Sequence, residues 1–222
     1  MKQIKMIGMV IVLTLATQAG WKSVKSLEHY GPKSYTLKQG VAYVELRKWT
    51  SSTDPRGTTK HVERKLRMYA TPLSHFSPKI RRAFSHTPVK KRYAFKKGEY
   101  VGLGGTSSWY YNGVMIDHKG KIWRLENRQD VVDMVKPIDT PAEVALVMWL
   151  HSDAREKSEK YSLKYRKSGS GYIVREYHSN HDYSNWKYQC GEYTFEYRLS
   201  RQGKLRHKKR MKSRNFKECG SE

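Results

Sequence analysis

Acid is scarce in this chain. Of 222 residues only 20 are Asp or Glu, against 44 Lys or Arg, for a formal net charge of +24. Cysteine is scarcer still, at two, and neither has a histidine partner at metal-ligand spacing, so the cysteines form no zinc site. Long apolar runs are absent except for one at the extreme N-terminus, so a multi-pass membrane protein is excluded. Three motifs are missing as well: a Gly-x-Ser-x-Gly elbow, a His-Glu-x-x-His helix and a P-loop with its Gly-Lys-Ser/Thr ending. What remains is polar, with mean hydropathy −0.83. It is also rich in aromatics, with 16 Tyr, 6 Trp and 5 Phe, a composition that argues for a fold rather than disorder.

The N-terminus reads as an export signal. Lys2 and Lys5 precede an apolar stretch over residues 6–16, and small residues at Thr17 and Ala19 suit cleavage before Gly20. The stretch is about half the roughly 20 residues that a spanning helix needs. Removing residues 1–19 takes away two lysines and leaves 24 − 2 = +22. The expectation is a periplasmic or secreted protein, in an oxidising compartment where Cys190 and Cys219 would join. Closing that loop of about 30 residues would contribute roughly 3–4 kcal/mol.

Two regions are expected after the signal: a basic, β-rich region over residues 20–138, and a helix-plus-sheet domain with the disulfide over residues 139–222. In the first, Val41 to Trp49 and His61 to Tyr69 flank the turn cluster 51–57 and suggest a hairpin. Ser77-Pro78 opens a short helix, and residues 79–97 hold eight Lys/Arg and no acid. His118-Lys119-Gly120 reads as a three-residue hairpin loop, and Asn127 as the cap of a short helix. Gly102 to Ser108 reads as a flexible loop.

The strongest local signal is Thr140-Pro141-Ala142-Glu143 before the apolar run 144–150. Thr140 is the N-cap, Pro141 sits at N1 and Glu143 closes a capping box, so a buried helix starts here. His151 is expected to serve its C-terminus as a cation. Four strands should follow as an antiparallel meander. Within it, Glu192 to Leu199 alternates, with Tyr193, Phe195, Tyr197 and Leu199 on one face. The loop Arg201-Gln202-Gly203 would pair Leu199 with Leu205, Tyr197 with His207 and Tyr193 with Met211, and set Glu196 against Lys208 and Glu192 against Lys212. The fold class expected is therefore α+β: an N-terminal β-rich region, then a buried helix packed on a C-terminal antiparallel four-strand meander. From residue 139 to 219 this order resembles PepSY-type and cystatin-like export modules. The resemblance is one of topology and implies a fold.

The candidate site is a basic stripe. Residues 201–217 hold nine Lys/Arg and no acid. Lys204, Arg206, Lys208, Arg210, Lys212 and Arg214 occupy every second position, so a regular strand would project all six from one face at roughly 6.6–7 Å intervals. Arg198 would stand opposite Arg206. The function expected is non-enzymatic binding of a polyanion: nucleic acid, lipopolysaccharide, an acidic wall polymer or an anionic membrane surface. Tyr177, Tyr183, Trp186 and Tyr188 suit stacking on bases or sugars, or completing a small core. No cofactor or metal is expected. One alternative is an exported hydrolase or nuclease using His178, His181 and Asp182 in a loop. The other is a cystatin-like module binding or inhibiting an acidic protein partner.

Overall fold

The computed structural model describes residues 20–54, 57–102, 105–152, 158–182 and 189–216. The expected signal segment over residues 1–19, Cys219, Tyr183, Trp186 and Tyr188 lie outside them. The chain is strand-rich and α+β, with two antiparallel sheets. Sheet A has the order β1-β7-β8-β9-β10, from strands Lys22–Val24, Ser158–Ser168, Gly171–Asp182, Gln189–Ser200 and Leu205–Phe216. Sheet B runs β3-β2-β5-β4, from Gly57–Tyr69, Val41–Asp54, Gly105–Asp117 and Lys96–Gly102, and β6 (Ile122–Leu125) also pairs with β5. Among the described residues three α-helices accompany them: α1 (Pro78–Ser85), α2 (Arg128–Asp133) and α3 (Pro141–His151). No helix among the described residues is long and apolar enough to cross a membrane.

Helix α3 starts where its sequence dictates. Thr140 Oγ1 accepts the Glu143 N–H at 3.3 Å, and the Glu143 carboxylate accepts the N–H groups of Thr140 at 2.9 Å and Asp139 at 2.6 Å. A third N–H, from Thr36, reaches it at 2.8 Å, so three backbone donors satisfy this fully buried carboxylate. Residues 142–150 are all buried. They share one cluster with Val44, Leu46, Leu66 and Met68 of sheet B and with Leu163, Tyr165, Val174 and Leu199 of sheet A. An apolar stripe on one side would not suffice for a helix with sheet residues around it, which is why this one is apolar all round. At its C-terminus the serving cation is Lys96, not His151: the buried ammonium donates to the carbonyls of Trp149 at 2.6 Å and Ser152 at 3.0 Å. Lysine's longer stem lets it arrive from β4 and stand over the Trp149 ring at 4.5 Å.

The opposite face of sheet B carries a second, smaller cluster. Tyr43, Val114 and Ile116 pack there against Phe84 of α1. The segment 102–108, expected as a loop, is mostly strand: its ends form the hairpin between β4 and β5, with residues 103–104 outside the described set. Both three-residue loops take the expected form, with φ of 81° at Gly120 and 74° at Gly203. They share one hydrogen-bond pattern, Gly120 N–H to Asp117 O and Gly203 N–H to Ser200 O, both at 2.9 Å.

Candidate anion-binding face

The register between β9 and β10 begins as the loop demands, with Leu205 opposite Leu199 and Arg206 opposite Arg198. It then shifts twice. One irregularity between Arg206 and Lys209 sets Lys209 opposite Glu196 and Arg210 opposite Phe195; another between Arg210 and Lys212 sets Lys212 opposite Thr194 and Arg214 opposite Glu192. The stripe expected on one face is therefore divided. Arg206, Lys209 and Lys212 fall on the outer face with Arg198. Lys208 and Arg210 turn to the inner face, where the Lys208 ammonium stands 4.1 Å from the Phe195 centroid and the Arg210 guanidinium 4.9 Å from that of Tyr193. Lys204 precedes the strand and is exposed. The side chain of Arg214 lies outside the described set.

The outer face gains in width what the single strand loses. Cross-strand pairing lines up two rows. One runs Arg166, Ile173, Arg198, Arg206; the other runs Lys164, Arg175, Glu196, Lys209. Six cations and one acid thus occupy four adjacent strands, about 15 Å across. Glu196 is bound to Arg175 at 2.9 Å. Two like-charge pairs, Lys164 with Arg175 and Arg198 with Arg206, stand directly opposite each other. Trp21 holds part of this face in place: the Arg175 guanidinium lies 4.2 Å from its ring centroid and that of Arg166 at 5.1 Å. Arg166, Lys164, Arg198, Arg206 and Lys209 are exposed.

No family model, curated protein or solved structure matches the chain.

The histidine group is arranged differently from the sequence expectation. Residues 178–182 are not a loop; they continue β8, paired with β9 down to Asp182 opposite Gln189. Positions 178 and 181 are an odd number of residues apart, so they fall on opposite faces, and positions 178 and 182 are about 13 Å apart along the strand. The side chains of His181 and Asp182 lie outside the described set, and among the described residues no three His, Cys, Asp or Glu side chains form a metal-binding group. His178 is buried on the inner face between Tyr193, at 5.4 Å, and Phe195, at 5.5 Å, and its Nδ1 has no hydrogen-bond partner among the described residues. Next to it Glu176 accepts hydroxyl hydrogen bonds from Tyr197 at 2.7 Å and Tyr161 at 3.2 Å. The Tyr197 bond, after burial itself, pushes that phenol well above its ordinary range. Neither Glu176 nor the Lys208–Phe195 stack was legible in the strand's alternation.

Burial holds the His178 imidazole below its usual pKa, with Lys208 adding to the effect and Glu176 opposing it. The sign follows. Below a pH of about 6.5 the unfolded chain takes up a proton here that the folded chain does not, so stability falls as pH drops through that range. His178→Phe, which keeps the aromatic packing, should flatten the loss of melting temperature between pH 7.5 and 5. An unchanged slope would show that His178 titrates freely in the fold.

Proposed function

We propose that this is an exported protein that binds a polyanion through the outer face of sheet A, without catalysing a reaction. The observation that carries this reading is the pair of like-charge cross-strand pairings, Lys164 opposite Arg175 and Arg198 opposite Arg206, within two cross-strand rows holding six cations and one acid. Like charges set directly across a sheet are destabilising. A string of anionic groups relieves that repulsion, and strand and inter-strand spacings of about 5–7 Å suit repeated charges along a polymer. The guanidiniums stacked on Trp21 are already ordered, so less freedom is lost when an anion engages them.

The test separates binding from folding. Arg198→Glu turns a repulsive cross-strand pair into an attractive one and should stabilise the sheet by about 0.2–1 kcal/mol. The same change should weaken polyanion binding. With duplex DNA as probe, Arg198→Glu with Arg206→Glu should lower the slope of log K against log salt by roughly 0.9 for each phosphate that is no longer neutralised. Stability gained with binding unchanged would overturn the reading. A low-salt pull-down from the native envelope, eluted with a salt gradient, names the anion class.

Export carries its own tests. The secreted chain should begin at or near Gly20 by intact mass, and a retained Met1 in that fraction would refute it. Non-reducing peptide mapping should show Cys190 joined to Cys219. Cys190 stands opposite Phe216 in the sheet, and only two residues of sequence separate Phe216 from Cys219.

A further inference from the structure

Two adjoining recesses, separate from the basic face, meet at Leu27 and Trp149. The first, about 310 Å³, has walls of Leu46, Leu66, Trp109, Tyr111 and Trp149, and its charged residues are Lys48, Lys65 and Glu28. The second, about 300 Å³, adds Leu163 and Ala145 as apolar wall and Lys25 as cation. Three lysines against one acid make the openings cationic; the walls of the first recess are mainly aliphatic and aromatic, while Ser26, Tyr161 and Ser162 make the second more polar.

Local structure puts the cations there. Lys48 follows Val44 and Leu46 at two-residue steps along β2, so it continues their core-facing row past the end of the packed core. Its ammonium stands 5.5 Å from the Trp109 ring centroid. Leu46 pairs with Leu66 but Arg47 pairs with Arg64, so Lys65 is the extra residue of a β-bulge, the device that re-aims a side chain. Lys65 has an ion pair with Glu63 at 3.8 Å, with both side chains about half exposed, a contact of little strength.

We propose that the first recess binds a single-chain amphiphilic anion, an acyl chain ending in a carboxylate or phosphate. Burying the chain gains about 0.8 kcal/mol per methylene, and Lys48 and Lys65 face the head group. The volume sits at the low end of small-ligand sites, about 300–1,000 Å³, which admits one chain rather than two. This inference stands on its own cavity and does not depend on the polyanion reading.

The experiment titrates the purified chain with laurate, dodecyl phosphate and neutral monolaurin, all below micelle formation, by calorimetry and by fluorescence of Trp109 and Trp149. Laurate and dodecyl phosphate should bind at one per chain, and the tighter of the two identifies the head group. Lys48→Glu with Lys65→Glu should weaken both anions about tenfold and leave monolaurin within about twofold, since two rim charges contribute roughly 0.7 kcal/mol each. Leu66→Trp, which fills the recess, should abolish binding of all three. No binding by the native chain, or equal losses of neutral and anionic ligands on charge reversal, would overturn the proposal. So would a Leu66→Trp variant that melts cooperatively and still binds. Should that variant fail to fold, the charge-reversal comparison decides alone.

Discussion

Replacing Glu45 by alanine should destabilise the protein by about 3–5 kcal/mol, the usual cost of leaving one member of a buried ion pair alone. Glu45 is fully buried and Arg47 is 2% exposed. The Arg47 Nε donates to Glu45 at 2.7 Å, and its other nitrogens donate to the carbonyls of Thr87 at 2.8 Å and Phe84 at 2.9 Å. One guanidinium therefore joins the carboxylate of β2 to the end of α1, with the Phe84 ring 4.6 Å from it. Arg67 at 3.2 Å and Arg64 at 3.6 Å approach the same carboxylate from the half-exposed side. Burial, and then the charge of Glu45, pushes the neighbouring Tyr43 phenol up to about 12. Without the carboxylate, three guanidiniums repel one another and the buried one has no counter-charge. Urea denaturation measures the difference. The double variant Glu45→Leu with Arg47→Leu should recover part of the loss, because it leaves no uncompensated charge. A loss under about 1 kcal/mol for Glu45→Ala would mean that Arg47 reaches water when its partner is gone.

Gly203→Ala should have the second large effect, about 2–5 kcal/mol. Its φ of 74° costs a side-chain-bearing residue roughly 1–2 kcal/mol. The added Cβ would also collide with Val132 Cγ1, and overpacking a well-filled site adds about 1–3 kcal/mol. Gly169, with φ 56° and open space around it, bears only the first cost. Gly120 lies between them, since its Cβ would meet Ile80 Cδ1, the free end of a side chain, at 2.6 Å. Melting temperatures of the three alanine variants should fall in the order Gly203, then Gly120, then Gly169, with Gly203 the least stable. Equal losses would show that the turn conformation alone matters and that the 201–203 loop is not docked. Docking has a functional consequence. The same loop is tied down by the Ile138 N–H to Arg201 O bond at 2.7 Å and by the Arg201–Asp139 ion pair at 2.6 Å, and it fixes the ribbon that carries Arg198 and Arg206.

Local order was legible because its causes are local. A cap, a proline at N1 and a glycine at positive φ act within four residues, so Thr140–Glu143, Asn127 and the loops ending at Gly120 and Gly203 were readable in one dimension. The register of β10 was readable only as far as Arg206. Beyond it, Lys208, Lys209 and Arg210 are consecutive cations, so a shift of one residue exchanges like for like and the charge pattern no longer favours one pairing. The inner face also tolerates a cation, since aromatic rings at 195 and 193 receive Lys208 and Arg210 on their faces.

The sequence by itself determined the charge, the strand-rich composition with a buried helix, and the turns that join its last strands. Tertiary structure alone decided where the charge gathers. Lys164, Arg175, Arg198 and Arg206 come from four strands spread over more than 40 residues, and only antiparallel pairing sets them on one face. It decided equally that Glu45 and Arg47 of β2 are buried beneath α1. The physical reason is range: caps and turns are set by neighbours along the chain, whereas burial and the company a charge keeps are set by residues that folding brings from far away.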